Sequence, residues 1–365
     1  MKDIYDSLTI LLLLKDRSEL TYRWMDYANM IEIPFKVIIA DGGKDKTIEN
    51  TLLDRTNYPH VNYEYLRYPY DKTYPDYFNK VVSSLSNISS KYVVLASNDD
   101  FFIVDGLVKS VKFLLENSEY SSCRGEIWGL FYRDWNDYDF RVPSRVLYDI
   151  DDKIASVRIK KHLEYYQDLW YAVQTTQVLK SCFETLQELN PSDLYLSEIH
   201  TSCLTVASGK VRLGNYMYLI RQQNSSGSNA LALGGNNYYL GRILTTPSWS
   251  GDYSNFLNNT ARMMSSTSDT LEDNIDIVSN GYKKCVSKHI IKESIQNMSP
   301  TVRFLINNVL RLNVDGYGGY RRYFYRKIYS VLFRVKYKDG NVSQLGRLLW
   351  FYNDVTPIAK VLHKS

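Results

Sequence analysis

Tyr92-Val-Val-Leu-Ala-Ser-Asn-Asp-Asp100 is the stretch on which the fold turns. Tyr92–Ala96 is an unbroken apolar run with no polar alternation, too short for a helix. It reads as a strand covered on both faces. Similar runs lie upstream at Leu8–Leu14, Phe35–Ala40 and Val61–Leu66. Helical patterns separate them at Glu19–Ile31, Lys46–Asp54 and Tyr77–Ser86. Apolar strands alternating with helices predict an α/β fold: a Rossmann-like, mostly parallel sheet with helices on both faces.

Downstream, Gly106–Glu116 reads as a helix and Arg124–Tyr132 as a strand. Residues 133–160 are charged and aromatic and read as an insertion. Tyr166–Leu189 and Leu194–Ser208 read as helices and Val211–Ile220 as a strand. Gln222–Asn237 is rich in Ser, Asn and Gly and reads as a loop able to close over a ligand. Beyond it helical patterns dominate, at Ser254–Met264, Leu271–Ile291, Thr301–Leu312 and Tyr320–Val335. The chain therefore divides into a binding and catalytic domain, 1–245, and a mainly helical, basic C-terminal region, 246–365.

Composition narrows the class. Of 365 residues 44% are hydrophobic, which excludes wholesale disorder. No run reaches the roughly 18–20 apolar residues of a membrane span. Leu8–Leu14 is flanked by Asp6 and Lys15-Asp16-Arg17 rather than by the marks of a secretory signal. The four cysteines form no CxxC pair, which fits a reducing compartment. The expectation is a cytoplasmic protein. Residues 301–365 hold 12 Lys and Arg against 3 Asp and Glu, whereas residues 1–300 hold 32 against 37. The two parts are thus suited to different partners.

In open α/β sheets ligands bind beyond the carboxyl ends of the strands. Each strand here leads into a polar turn: Lys15-Asp16-Arg17, then Asp41-Gly42-Gly43, then Arg67 and Asp71, then Asn98-Asp99-Asp100. Adjacent carboxylates after a buried strand need a positive partner. They read either as a helix cap before Asp105 or as oxygen ligands for Mg²⁺ or Mn²⁺ shared with phosphates.

Thr9-Ile-Leu-Leu-Leu-Leu-Lys-Asp-Arg17, Val37-Ile-Ile-Ala-Asp-Gly-Gly-Lys-Asp-Lys-Thr47 and Tyr92–Phe101 together resemble three blocks of the GT-A glycosyltransferases, in particular the family-2-like ones. The resemblance runs to about residue 240. It includes the aromatic stretch Tyr165-Tyr-Gln-Asp-Leu-Trp-Tyr171 and the acidic helix and strand from Asp193 to Gln222. It implies a nucleotide-sugar donor, a DXD-like metal motif and a place in bacterial surface-polysaccharide synthesis. The sequence departs from the pattern in Gly43, in Asn98 at the first motif position, and in Ser197-Glu198 at the acceptor-side acidic pair.

On that resemblance Lys15, Asp16, Arg17, Asp41, Gly42, Asp71, Lys80, Asn98, Asp99 and Arg221 would contact the donor. Asp99 and Asp100 would hold Mn²⁺ or Mg²⁺. Glu198 would act as the base for an inverting transfer, with Asp193 in reserve as base or helix cap. Read from the residues alone, Glu198 could instead pair with Lys180, Lys210 or Arg212, and Lys80 could be a solvated helix lysine.

Three further classes compete with this reading. A sugar-phosphate nucleotidyltransferase calls for glycines after the first strand, and there are none. A non-catalytic nucleotide- or carbohydrate-binding module has no need for Glu198 beside Asp99-Asp100. Nucleic-acid binding lacks a zinc, RRM or helix-turn-helix signature. The run Tyr320–Lys338 mixes Arg and Lys with aromatics and contains no acid. It reads as an interfacial helix for the anionic inner face of a membrane, where a glycan or lipid-linked acceptor would be met.

Overall fold

The computed structural model describes residues 2–134, 137–141, 147–223, 244, 247–264, 270–296, 334–338, 341–342 and 352–362. After a short helix α1 (Lys2–Asp6), the apolar run Leu8–Leu14 forms β1, an inner strand of the parallel part of the sheet. It lies parallel to β2 (Lys36–Asp41) on one side and to β4 (Tyr92–Ser97) on the other, and β3 (Tyr63–Arg67) extends the set beyond β2.

Alternation along these strands fills two cores. Ile10, Leu12, Val37, Ile39 and Val94 face α2 (Ser18–Met30) and α5 (Val104–Glu116), packing on Trp24, Met25, Leu107 and Val111. Leu11, Ile38, Val93 and Leu95 face α4 (Tyr74–Ser86) and α7 (Thr176–Leu189), packing on Phe78, Val81, Phe183 and Leu186. Period-2 projection sends neighbouring side chains to opposite faces, so a strand clad on both sides must be apolar throughout. A short helix α3 (Thr47–Leu53) follows β2 and buries Ile48 and Leu52.

Beyond β4 the sheet becomes mixed. β8 (Val173–Thr175) joins β4 to the long β6 (Tyr120–Asp134), antiparallel to both. β6 also pairs antiparallel with β7 (Asp137–Arg141) and parallel with β9 (Lys210–Gln222). The two-residue β5 (Phe101–Phe102) pairs with the end of β9, which carries the Asn98-Asp99-Asp100 turn to the tip of that strand.

The structure differs from the sequence reading in three places. The segment 133–160 contributes β7 and helix α6 (Ala155–Glu164). Residues 166–172 are not helical, because β8 intervenes before α7. The expected interfacial helix 320–338 ends in a strand: β10 (Arg334–Lys338) pairs antiparallel with β7 and with β11 (Asn341–Val342). Its alternating pattern Arg-Val-Lys-Tyr-Lys suits a strand. The helix expected at 301–312, residues 320–333 and most of the 222–237 loop lie outside the described residues.

The described parts of 246–365 pack on the rest. α9 (Ser250–Met264) and α10 (Leu271–Gln296) share a core with α6 and α8 (Leu194–Ser208), built on Leu163, Ile199, Phe256 and Tyr282. α11 (Tyr352–Leu362) places Val355, Ile358 and Leu362 against Trp128, Tyr138 and Phe140 of β6 and β7. Among the described residues no helix is long and apolar enough to cross a membrane.

If α11 is an integral part of this core, Ile358→Ala should lower the unfolding free energy by about 2–4 kcal/mol. Asn353→Ala, on the exposed side of the same helix, should change it by less than about 0.5 kcal/mol. Urea unfolding of both variants checks this, and equal small effects would make α11 a loosely attached tail.

Candidate functional site

The strand ends converge on a cavity of about 1120 Å³. Of the residues singled out from the sequence, Lys15, Asp16, Arg17, Asp71, Lys80, Asp99, Asp100, Glu198 and Arg221 line it. Asp41, Gly42, Asn98 and Asp193 do not, and each has a structural task.

Asp41 is buried. Its carboxylate accepts from Tyr65 Oη at 2.7 Å, Arg67 Nη1 at 2.6 Å and the Gly43 amide at 2.8 Å. It organises the turn after β2 rather than facing the cavity. Gly42 is glycine because a Cβ there would stand 2.4 Å from Asp71 Oδ1. Asn98 turns toward α2: its Oδ1 accepts from Arg17 Nη2 at 2.8 Å and its Nδ2 donates to Thr21 Oγ1 at 3.0 Å. Its oxygen is thereby committed to Arg17 rather than offered to a ligand. Asp193 caps α8, accepting from the Leu196 amide at 2.8 Å, which removes it as a reserve base.

At the end of β1, Asp16 and Arg17 both adopt left-handed backbone, at φ 58° and 60°. Two consecutive non-glycine residues there cost of order 1–3 kcal/mol each, so surrounding contacts must hold them. Asp16 Oδ1 accepts from the Lys44 amide at 2.6 Å. Arg17 reaches across to Asp99 Oδ2 at 3.0 Å.

Lys80 is buried, not solvated. Its ammonium donates to Asp71 Oδ2 and, at 2.8 Å, to the Leu14 carbonyl. Burial pushes the Asp71 carboxyl up and the Lys80 ammonium down, while each partner's charge pulls the other back. A capping box between Thr73 and Asp76, with Pro75 in the first turn, fixes where α4 begins and so how far Lys80 reaches.

Asp99 and Asp100 stand beyond β4, and α5 begins only at Val104 with Ile103 at its cap, so neither caps that helix. Besides Arg17, Asp99 accepts from Ser97 Oγ. Asp100 Oδ1 accepts from the Gln222 amide at 3.0 Å. Burial, reinforced by neighbouring Asp99, raises the Asp100 carboxyl to about 8, with Arg221 and Arg17 opposing.

Arg221 sits over the Tyr171 ring at 5.3 Å and 3.4 Å from Asp168 Oδ2. Burial works against its charge, but Tyr171, Asp100, Asp168 and Glu198 outweigh that and raise its pKa. Glu198 accepts from Tyr166 Oη at 3.0 Å. Burial and then Asp168 lift its carboxyl to about 8, against Arg221 and the Tyr166 bond. The alternative pairings for Glu198 are absent: Lys180 faces Glu184, Lys210 faces Glu119 and Arg212 faces Asp149.

Sequence reading missed Asp168, Tyr166 and Arg23. Asp168 and Tyr166 lie in the aromatic stretch 165–171, where the helical reading gave them no special place. Arg23 looked like an ordinary helix residue, yet it is buried. Its Nη2 donates to Gln222 Oε1 at 2.7 Å and its guanidinium lies over the Phe101 ring at 5.3 Å. Its nearness to Asp99 and Asp100 offsets part of the cost of that burial.

The oxygen donors fit a hard divalent cation only in part. Asp100 keeps capacity beyond its bond to Gln222, whereas both oxygens of Asp99 are engaged. Among the described residues no cluster of three His, Cys, Asp or Glu forms a metal cage.

Lys80→Met should destabilise the protein by about 3–5 kcal/mol, because it leaves a buried carboxylate unpaired. Adding Asp71→Asn should recover more than half of that loss. Denaturant titration of the single and double variants tests it, and additive losses would mean that the two groups act independently.

No protein-family model matches the chain. No curated protein matches it. Among solved structures it is similar to S. aureus TarS 1-349, with 11% identity, a TM-score of 0.51 and coverage of 98% of this chain and 90% of that one. TarS 1-349 in complex with UDP-GlcNAc is similar at 10% identity and a TM-score of 0.51, over 81% of this chain and 77% of that one. The complex with UDP is similar at 11% identity and a TM-score of 0.50, over 98% and 90%. At these identities the likeness establishes a shared α/β fold.

Proposed function

We propose that the chain is a nucleotide-sugar-dependent glycosyltransferase of GT-A type, moving a sugar to an acceptor hydroxyl in the synthesis of a bacterial surface polysaccharide. The observation that carries this reading is the meeting, in one cavity, of a phosphate-suited group and a raised carboxyl. Arg17, Asp99, Asp100 and Arg221 form the first, and Glu198 is the second. TarS, which shares the fold, has been seen with UDP-GlcNAc, and that supports a nucleotide sugar as ligand. The Lys15-Asp16-Arg17 turn has no glycine, which disfavours nucleotidyl transfer.

In the mechanism, Arg17 and Arg221 bind the diphosphate through planar, multidentate donors. Asp100, with Asp99 beside it, would hold Mn²⁺ or Mg²⁺, which when bound neutralises diphosphate charge. The acceptor oxygen attacks the anomeric carbon, and the bond from that carbon to the diphosphate oxygen breaks. The electron pair leaves with the nucleoside diphosphate, and Glu198 takes the acceptor proton. The outcome is inversion. Tyr166 holds the Glu198 carboxyl in place, and Asp168 holds Arg221 while its charge raises the basicity of Glu198. The basic run 320–338 supports attachment to an anionic inner-membrane surface, which would concentrate a lipid-linked acceptor.

Glu198→Gln should leave nucleotide binding nearly unchanged and lower turnover by roughly 10²-fold or more. A base must be ionised, and Glu198 is protonated below about 8, so kcat/KM should rise with pH toward about 8 and then level. An acid limb near pH 4–5, or normal turnover in the variant, would place the base elsewhere.

Asp100→Asn should abolish transfer in a donor screen over UDP-, GDP-, dTDP- and CMP-sugars that reads released nucleotide. EDTA should do the same, with recovery on adding Mn²⁺. Full activity in excess EDTA would remove the cation from the scheme and leave neutralisation to the arginines.

A further inference from the structure

One wall of the cavity takes no part in the transfer chemistry. Tyr74 and Tyr77 at the start of α4, Trp170, and Tyr195 on α8 all line it and are half-buried. Three of these rings rest on a common aromatic base. Tyr74 stacks on Phe78 at 6.5 Å between centroids, Tyr77 packs edge-on to Phe183 at 6.5 Å, and Trp170 does the same at 5.5 Å. Phe78 and Phe183 are fully buried and lie 6.4 Å apart. The rings facing the cavity are therefore held by packing rather than left to rotate.

We infer that this wall is a saccharide subsite, in which the acceptor's terminal pyranose ring lies against Tyr195 and the Tyr74–Trp170 rings. The inference rests on the glycosyl-transfer reading and names its acceptor class. Position supports it first. Tyr195 precedes Glu198 by three residues on one helix, which puts their Cβ atoms about 5–6 Å apart. Both side chains line the cavity. A hydroxyl within reach of Glu198 thus belongs to a molecule that touches Tyr195.

Chemistry supports it independently. An aromatic face carries negative quadrupole charge and favours weakly positive C–H groups. A pyranose offers such an apolar C–H face together with a rim of hydroxyls. The same cavity lining offers the polar side chains Thr73, Asn190 and Ser192, which suit that rim. A lipid tail would instead require an unbroken apolar channel, whereas this lining mixes rings with polar and charged side chains.

The test is saturation-transfer NMR on the full chain with cellobiose, chitobiose, maltose and mannobiose, alongside binding of UDP, GDP, dTDP and CMP and competition by decyl phosphate. At least one disaccharide should bind, with transfer strongest at its ring C–H protons. Tyr195→Ala and Tyr74→Ser should each weaken that binding about 5–10-fold with an unchanged melting temperature, and leave nucleotide binding as in the parent. Glu198→Gln should keep the disaccharide signal.

The proposal is overturned if no disaccharide binds, or if both variants bind sugar like the parent. It is equally overturned if Tyr195→Ala weakens nucleotide binding by the same factor, which would assign the rings to the donor's base, or if decyl phosphate alone binds. Disaccharide binding without any nucleotide binding would support the saccharide subsite and sink the transfer reading instead, so the two failures are distinguishable.

Discussion

Asp99 and Asp100 put two carboxyl groups side by side where β4 leaves the core, and much of the surrounding structure exists to make that tolerable. Water cannot do it, because both residues are largely buried. Three arginines do it from three directions: Arg17 from the end of β1, Arg221 from the end of β9 and Arg23 from within α2. Each comes from a different element, so the charge balance holds only when β1, α2, β4 and β9 are all in place. The left-handed backbone at Asp16 and Arg17 answers the same demand, since it aims Arg17 across the strand ends at Asp99.

The neighbouring Asp71–Lys80 pair solves a related problem differently. There one carboxylate meets one ammonium, both almost fully buried, and the ammonium also satisfies the Leu14 carbonyl. The pair ties β1 to the loop before α4, and through Asp71 against Gly42 it ties in the turn after β2. The cavity wall is thus a set of turns that could not fold independently, each completed by a side chain from another strand end.

Much of this was legible in the sequence, for a physical reason. Strands covered on both faces must be apolar throughout, so β1, β2 and β4 announced themselves, and the polar residues after them had to gather at one sheet edge. Roles within the gathering were less legible. Asp41 and Asp71 both follow strands, yet one is consumed by Tyr65, Arg67 and Gly43 while the other lines the cavity. Nothing local distinguishes them, because the partners arrive from elsewhere in the chain. Asp168 and Arg23 were missed for the same reason: their meaning lies in Arg221 and in Gln222, far away in sequence. The strand at 334–338 was misread because its neighbours are basic and aromatic, and a five-residue alternation was absorbed into a longer helical pattern.

The electrostatics of the cavity also explain why the Glu198 carboxyl holds its proton tightly. Its charged lining side chains comprise five basic groups (Lys15, Arg17, Lys72, Lys80 and Arg221) and five acidic ones (Asp16, Asp71, Asp99, Asp100 and Glu198). Such a lining is no general anion trap; the placement of charge matters more than its sum. Arg17 pairs with Asp99 and Lys80 with Asp71 at short range, whereas Arg221 stands between Asp100, Asp168 and Glu198 and cannot fully satisfy all three. Burial, and after it a neighbouring carboxylate (Asp168 for Glu198, Asp99 for Asp100), outweighs Arg221, and both carboxyls rise to about 8. A carboxylate raised in this way is a stronger base than one engaged in a close ion pair with an arginine. Burial on α8, with Asp168 close by and Arg221 shared among three carboxyls, is therefore what lets the Glu198 carboxyl hold its proton up to about 8.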